Sequence, residues 1–137
     1  AGLRPFASPE SLYAASESLW ATTGPGDWHE AFSRHPRIGE QKAAQARSAS
    51  EARWSAGEQS GVHRADDSAR AALAEVNAAY EARFGHLYLV CATGKSADEL
   101  LAIARARLAN DPETELRVAA DELRKITRIR LEKLLEP

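Results

Sequence analysis

The sequence predicts an all-α protein folded as one compact multi-helix domain over residues 1–137. Three observations predict this class. Helix-start patterns recur along the chain, apolar residues return every three or four positions after them, and the one β-prone stretch has no second strand to pair with. A chain of this length buries roughly two-thirds of its unfolded surface, so we expect a hydrophobic core without disulfide or metal support.

The first helix is predicted to start at Ser8-Pro9, because serine is a favourable helix cap and proline suits the first helical position. Apolar and small residues at three- and four-residue spacing then mark one face as far as Trp20. The segment 22–26, which contains two glycines and a proline, ends this helix.

A second, short helix is predicted from Asp27 to Phe32, since Asp27 and Glu30 have the spacing of a capping box. His35-Pro36 closes it, because the residue before a proline is disfavoured in the helical conformation. The sequence therefore places a titratable histidine in a break between helices.

The middle of the chain is predicted to continue as helix. Residues 40–59 are rich in helix-favouring residues with a weak apolar face, which indicates one or two helices. Asp66 or Asp67 caps the clearest helix of the sequence, and Gly85 stops it. We expect the apolar segment 86–92 to form an extended, buried connection, because a lone strand is not stable.

Two further helices are predicted towards the C-terminus. Ser96 opens a capping-box pattern, and the helix that it starts is expected to end at Asn110. Asp111-Pro112 then starts a long amphipathic helix, and the face that carries its apolar residues also carries Glu122 and extends to Leu134.

Composition and charge exclude several classes of protein. The 18 Lys and Arg residues and 20 Asp and Glu residues leave a formal net charge of -2, which is too small to attract nucleic acid or an anionic membrane. Cys91 is the single cysteine, so an intramolecular disulfide and a cysteine-based zinc site are excluded. The longest uncharged apolar run, Leu87 to Thr93, is too short to span a bilayer. We therefore expect a cytoplasmic protein without nucleic-acid or membrane partners.

Sequence motifs for nucleotide, acyl-transfer and metal chemistry are absent. Gly24-Pro25-Gly26 is an isolated turn, and no serine has the flanking glycines of a nucleophile elbow. His29-Glu30 begins like a zinc-protease helix, but Ser33 stands where the second histidine is required. His63 and His86 have no partner at ligand spacing. We therefore expect no protein-bound catalytic metal.

Two features of the sequence are suited to chemistry. His35 has an imidazole whose ordinary pKa of ~6.5 permits proton transfer in either direction near neutral pH; alternatively, it only caps the preceding helix. Ser55, Glu58 and Gln59 have i, i+3 and i+4 spacing, so on a helix they present a hydroxyl, a carboxylate and an amide on one face. A solvated helix end has the same pattern, and the residues alone leave both interpretations open.

Several motifs occur together in one order along the chain. They are His35-Pro36, Ile38-Gly39-Glu40, Ser55-x-x-Glu58-Gln59, Phe84-Gly85, Leu89-Val90-Cys91-Ala92, Arg107-Leu108-x-Asn110, Glu115-Leu116 and Lys125-Ile126-Thr127-Arg128-Ile129-Arg130-Leu131. In combination they resemble the 2-oxo-4-hydroxy-4-carboxy-5-ureidoimidazoline (OHCU) decarboxylases of urate catabolism. The similarity extends from Arg4-Pro5-Phe6 to the end of the chain.

This resemblance implies a cofactor-free, usually homodimeric enzyme that converts OHCU to (S)-allantoin and carbon dioxide, coupled in function to the hydroxyisourate hydrolase that forms its labile substrate. It implies catalytic roles for His35, Glu58 and Arg130. It implies that the backbone of Val90 to Gly94 contacts the ligand. The full set of substrate-binding residues that it implies is Pro36, Ser55, Ala56, Gly57, Glu58, Gln59, Val90, Cys91, Ala92, Thr93 and Gly94.

Further expectations follow from the same resemblance. Thr93-Gly94-Lys95-Ser96 agrees with the bacterial members of the family, and a peroxisomal Ser-Lys-Leu ending is absent. A decarboxylation of this kind needs no cofactor, because the C=N group beside the departing carboxylate accepts the electron pair. Two alternatives stay open: a non-enzymatic all-α interaction module whose last helix docks a partner, and a decarboxylase of a related cyclic ureide.

Overall fold

Helices provide all the regular secondary structure in the described part of the chain. A computed structural model describes residues 5–38 and 67–136. The helices are Pro9–Trp20 (α1), Pro25–Phe32 (α2), Asp67–Phe84 (α3), Ala97–Arg107 (α4) and Pro112–Leu134 (α5). The predicted all-α class is confirmed, whereas the helices predicted within 40–59 lie outside the described residues. No helix of the described ranges is long and apolar enough to cross a bilayer.

Three helix starts follow the capping patterns of the sequence. The side chains of Ser8, Ser96 and Asp111 each accept a hydrogen bond from the backbone N–H three residues later, at 3.2, 3.2 and 2.9 Å respectively. These bonds satisfy N–H groups that have no acceptor within their own helix. The predicted starts of α1, α4 and α5 are therefore confirmed.

Two helix boundaries differ from the prediction. α2 begins at Pro25 rather than Asp27, and the Asp27 carboxylate accepts the Gly24 N–H at 3.1 Å. The predicted start was wrong because the ring of Pro25 is already shaped for the first helical turn. α4 ends at Arg107, and Asn110 closes a tighter turn in which its N–H donates to the Arg107 carbonyl at 3.0 Å.

The end of α3 depends on a glycine. α3 ends at Phe84, and Gly85 has a φ of +76° with its N–H donating to the Glu81 carbonyl at 2.8 Å. This left-handed conformation favours glycine because other residues bring Cβ too close to the backbone. The predicted stop at Gly85 is confirmed, and it turns the chain from α3 into the buried segment that follows.

Replacing Gly85 with alanine should lower the free energy of unfolding by about 1–2 kcal/mol, because an L-residue is strained at this φ. Nothing lies within 4 Å of a Cβ placed there, so the effect isolates backbone strain. Gly26→Ala is the matched control: its surroundings are equally open, its φ is not positive, and a helical alanine should stabilise by about 0.5–1 kcal/mol. Urea denaturation measures the free energy of unfolding of both variants. A change of the same sign in both would contradict the assignment of the Gly85→Ala effect to backbone strain.

Two groups of buried residues form the core. The first core cluster joins α3 and α4 and consists of Ile38, Leu73, Val76, Tyr80, Tyr88, Val90, Ala92, Ala97, Leu100, Leu101 and Ala104. The second core cluster joins α2 to α5 and consists of Phe32, Leu89, Cys91, Ala119, Ala120, Leu123 and Ile126. Burial of these apolar surfaces is the main favourable contribution to folding.

The segment 88–92 runs between the two clusters in an extended conformation. Tyr88, Val90 and Ala92 pack into the first core cluster, whereas Leu89 and Cys91 pack into the second. This alternation is that of a β-strand, whose successive side chains point to opposite faces. The predicted extended, buried connection is confirmed, and the segment is apolar throughout because both of its faces are covered.

A buried ion pair connects α4 to α5. The Arg107 and Glu115 side chains are 8% and 0% exposed. The Glu115 carboxylate also accepts hydrogen bonds from the Tyr80 hydroxyl and from the Asn110 side-chain amide. The Arg107 guanidinium donates to the Leu89 carbonyl at 2.7 Å, so the same cluster fixes the extended segment. Burial raises the pKa of Tyr80, which keeps its phenol protonated as a donor.

Candidate active site

His35 lies in a non-helical segment that is held at both ends. Its backbone N–H donates to the Phe32 carbonyl at 3.1 Å, at the end of α2. The carbonyl of Ile38 accepts a hydrogen bond of 2.8 Å from the side-chain amide of Asn77 on α3, and both residues are buried. Pro36, half-buried between these anchors, restricts the backbone further. The position of His35 is therefore fixed by two helices.

The imidazole of His35 is neutral near pH 7. Burial, with a smaller contribution from the positive charge of Arg130 on α5, lowers the pKa of His35 from 6.5 to about 4. The sequence-based expectation of an ordinary imidazole pKa was therefore wrong. The reason is that the sequence shows neither the burial of a side chain nor the approach of a cation from a distant helix. Of the three predicted catalytic residues, Arg130 lies near enough to His35 for its charge to lower the pKa of the imidazole.

Arg130→Gln should raise the pKa of His35, because it removes a cation that opposes protonation of the imidazole. The pKa should stay below 6.5, since burial is the larger cause of the shift. NMR titration of the imidazole measures it. Arg128→Gln is the matched control, because that guanidinium stacks over Tyr13 at 3.7 Å and pairs with Glu132 at 3.0 Å. An unchanged pKa in Arg130→Gln would contradict the electrostatic effect of Arg130 on His35.

One backbone edge of the extended segment faces α4 and α5. Arg107 donates to the Leu89 carbonyl at 2.7 Å, and the Cys91 N–H donates to the Glu122 carboxylate at 3.1 Å. The Lys95 ammonium donates to the Cys91 carbonyl at 2.8 Å. Charged side chains thus satisfy the polar groups that a neighbouring strand would satisfy in a sheet.

The opposite backbone edge carries the N–H and C=O of Val90, because alternate residues of an extended chain point to opposite edges. Val90 is only 3% exposed, yet no group within residues 5–38 or 67–136 forms a hydrogen bond to its backbone. Buried backbone groups are normally paired, so this edge is suited to a polar ligand. Within the predicted ligand-contacting backbone of Val90 to Gly94, the Cys91 N–H already donates to Glu122, so that N–H does not donate to a ligand.

The loop after the extended segment is a tight turn. The Lys95 N–H donates to the Ala92 carbonyl at 3.0 Å, and Gly94 has a φ of +77°. A positive φ at the third position of such a turn is typical of type II and requires glycine. Thr93 and Gly94 are exposed, whereas Val90 and Ala92 are buried. The predicted ligand loop therefore passes from the core to the surface within a few residues.

The remaining predicted site residues are those of the segment 55–59. Ser55, Ala56, Gly57, Glu58 and Gln59 lie outside the described residues, and their substrate-binding role stays a prediction. Within residues 5–38 and 67–136, no group of three or more His, Cys, Asp or Glu residues is arranged to hold a metal ion.

One residue at this site, Glu122, was not predicted from the sequence. Glu122 was assigned only to a face of the last helix, but its side chain is 12% exposed and binds the extended segment. The available signal was a carboxylate on the apolar face of an amphipathic helix, where burial requires a partner. Besides Lys125 on the same helix, its partner is the backbone N–H of Cys91, which no side-chain pattern reveals.

The family model of OHCU decarboxylase matches residues 1–132. The chain belongs to the OHCU decarboxylase family. A crystal structure of OHCU decarboxylase in the presence of (S)-allantoin is similar to this fold, with a TM-score of 0.76 and 34% sequence identity. The similarity covers 95% of this chain and 82% of that one. Family membership predicted from the ordered motifs is therefore confirmed.

Two curated proteins are also similar to this chain. The uric acid degradation bifunctional protein TTL of Arabidopsis thaliana is 38% identical over 131 residues, which are 95% of this chain and 40% of that protein. The 2-oxo-4-hydroxy-4-carboxy-5-ureidoimidazoline decarboxylase of Amia calva is 32% identical over 78 residues, 57% of this chain and 45% of that protein. The chain thus spans less than half the length of these relatives.

Proposed function

We propose that this chain forms a single catalytic domain over residues 1–137 that decarboxylates OHCU to (S)-allantoin without a cofactor. The observation that supports the proposal is a neutral imidazole, that of His35, whose pKa is lowered by burial and by the charge of Arg130 from a distant part of the chain. They lie in a chain of the OHCU decarboxylase family whose fold is similar to a structure determined in the presence of (S)-allantoin.

The reaction requires one bond to break and protons to move. The bond from the ring carbon to the carboxylate breaks, its electron pair shifts into the neighbouring C=N group, and carbon dioxide leaves. The nitrogen takes up a proton, and the resulting enol then loses its hydroxyl proton while the ureido-bearing carbon gains one. The substrate itself accepts the electron pair, so the protein supplies orientation and proton transfer.

His35 is proposed to handle the hydroxyl proton. A neutral imidazole accepts a hydrogen bond from the substrate hydroxyl, takes its proton as the enol collapses, and assists delivery of a proton to one face of the ring. Because the pKa of about 4 keeps the ring neutral near pH 7, it is present as a base rather than as a cation that binds the carboxylate.

The remaining groups orient the substrate. Arg130 supplies a fixed positive charge beside the anionic substrate, but a firm grip on the carboxylate itself would stabilise the ground state and slow its loss. The buried backbone edge of Val90 offers an N–H and a C=O to the ureide. Glu58, with Ser55 and Gln59, is proposed to accept hydrogen bonds from the ureido or ring N–H groups.

We also propose that the chain works in urate degradation as a homodimer, coupled to a hydroxyisourate hydrolase that supplies the labile substrate. Support for the pathway comes from relatives that are named bifunctional proteins of uric acid degradation, one of them from Bacillus sp. (strain TB-90), 24% identical over 131 residues. We expect a bacterial, cytoplasmic setting.

The test generates OHCU in place from urate with urate oxidase and hydroxyisourate hydrolase, and follows optical rotation while the purified protein is present. The expected result is faster carbon dioxide release with enrichment of (S)-allantoin. Racemic product at the spontaneous rate, from protein shown to be folded by circular dichroism, would overturn the proposal. That result would favour the alternative of a non-enzymatic interaction module.

A further inference from the structure

Besides the apolar packing of the second core cluster, one carboxylate, that of Glu122, joins α5 to the extended segment by a hydrogen bond. Glu122 accepts the Cys91 N–H through Oε1 at 3.1 Å and the Lys125 ammonium through Oε2 at 2.6 Å. Its side chain is 12% exposed, whereas that of Lys125 is 52% exposed. The Glu122 carboxylate is thus nearly buried and is turned towards the segment rather than towards solvent.

This contact determines which backbone edge is left for a ligand. By occupying the Cys91 N–H, Glu122 fixes the rotation of the segment about its own axis, and the Val90 edge then points the other way. The same helix carries Arg130 eight residues later, about 12 Å along the axis. One rigid helix therefore fixes both the ligand-facing backbone and the cation beside His35.

We propose that Glu122 is a positioning residue of the decarboxylation site, which sets the orientation of the Val90 backbone edge relative to Arg130 and His35. It acts through the Cys91 amide and does not touch the substrate. The inference rests on the proposed function, because it assigns to Glu122 the geometry on which face-selective protonation depends. A misoriented edge would let the substrate bind in more than one pose.

Three variants separate this role from a general structural one. Glu122→Ala removes the acceptor of the Cys91 N–H, whereas Glu122→Gln keeps a carbonyl oxygen in the same place. Asp121→Ala is the matched control, because Asp121 also pairs with Lys125, at 3.8 Å, and with Arg124, at 2.7 Å, and none of its bonds reaches the segment 88–92. Urea denaturation and hydrogen exchange at the Cys91 amide are measured for each variant.

Glu122→Ala should lower kcat/KM about ten- to hundredfold, the range expected when a hydrogen bond to a charged group is lost. It should also reduce the enantiomeric excess of the allantoin and speed exchange of the Cys91 amide. Glu122→Gln should restore both the enantiomeric excess and the protection of the amide, and Asp121→Ala should leave all three quantities unchanged. A purely structural role predicts lower stability with unchanged enantiomeric excess.

The outcomes distinguish this inference from the proposed function. If the wild-type protein gives only racemic product, the proposed function fails. If the wild type is enantioselective and folded Glu122→Ala retains its kcat/KM and its enantiomeric excess, the positioning role is overturned. The positioning role is also overturned if Glu122→Gln, when folded, is as defective as Glu122→Ala, because the acceptor geometry would then be irrelevant.

Discussion

His35→Ala should reduce the enzymatic rate of OHCU decarboxylation by roughly 10²–10⁴-fold, the usual contribution of a placed general acid or base. The reason is that alanine leaves the hydroxyl proton without the imidazole as its acceptor. The KM should change much less than kcat, since the imidazole acts mainly in the transition state. Stopped-flow polarimetry on substrate formed in place measures both constants.

The matched control is His29→Ala, because His29 is an exposed histidine of α2 that has no part in the proposed site.

The wild-type kcat/KM should also be constant around neutral pH and fall only as the pH drops towards about 4, where the His35 imidazole becomes protonated. A fall centred near pH 6.5 in folded protein, or equal losses in both histidine variants, would contradict the role of His35.

Glu115→Ala should have the largest effect on stability, a loss of about 3–5 kcal/mol in the free energy of unfolding. The substitution leaves the Arg107 guanidinium, 8% exposed, without its carboxylate, and it removes the acceptor of the Tyr80 hydroxyl. A small domain has a total stability of only about 5–15 kcal/mol, so a large shift of the urea midpoint is expected.

Glu113→Ala is the matched control on the same helix. Glu113 pairs with Arg117 on the surface, where the two side chains are 78% and 72% exposed, and such a pair contributes little. The double variant Arg107→Met, Glu115→Leu should be more stable than Glu115→Ala, because it buries no unpaired charge. If the double variant loses as much free energy of unfolding as the single variants Arg107→Met and Glu115→Leu lose in sum, the unpaired charge is not the cause of the loss.

Local sequence patterns predicted the helix boundaries correctly where the capping interaction joins residues that are close along the chain. Ser8, Ser96 and Asp111 bond N–H groups only three residues away, and Gly85 stops α3 by its own φ, so each signal is complete within a few positions. The same locality explains the error at α2. Two overlapping start signals lie within that segment, and the sequence alone does not rank the proline above the capping box.

The ordered motifs also determined the family. His35-Pro36, the segment from Leu89 to Ala92 and the Lys125–Leu131 motif each carry little information, but their order along the chain is specific. The pairing of His35 with Arg130 was available only through this resemblance. Neither periodicity nor spacing relates an imidazole between two helices to a guanidinium near the end of the last one.

By itself, the sequence determined the helical class, most helix ends, the extended connection and the OHCU decarboxylase family, because these depend on neighbours along the chain or on the order of motifs. Only the tertiary structure decided the protonation state of His35, the buried Arg107–Glu115 pair and the contact of Glu122 with the Cys91 amide. The physical reason is that burial and electrostatic interactions depend on which residues, distant along the chain, pack together and exclude water.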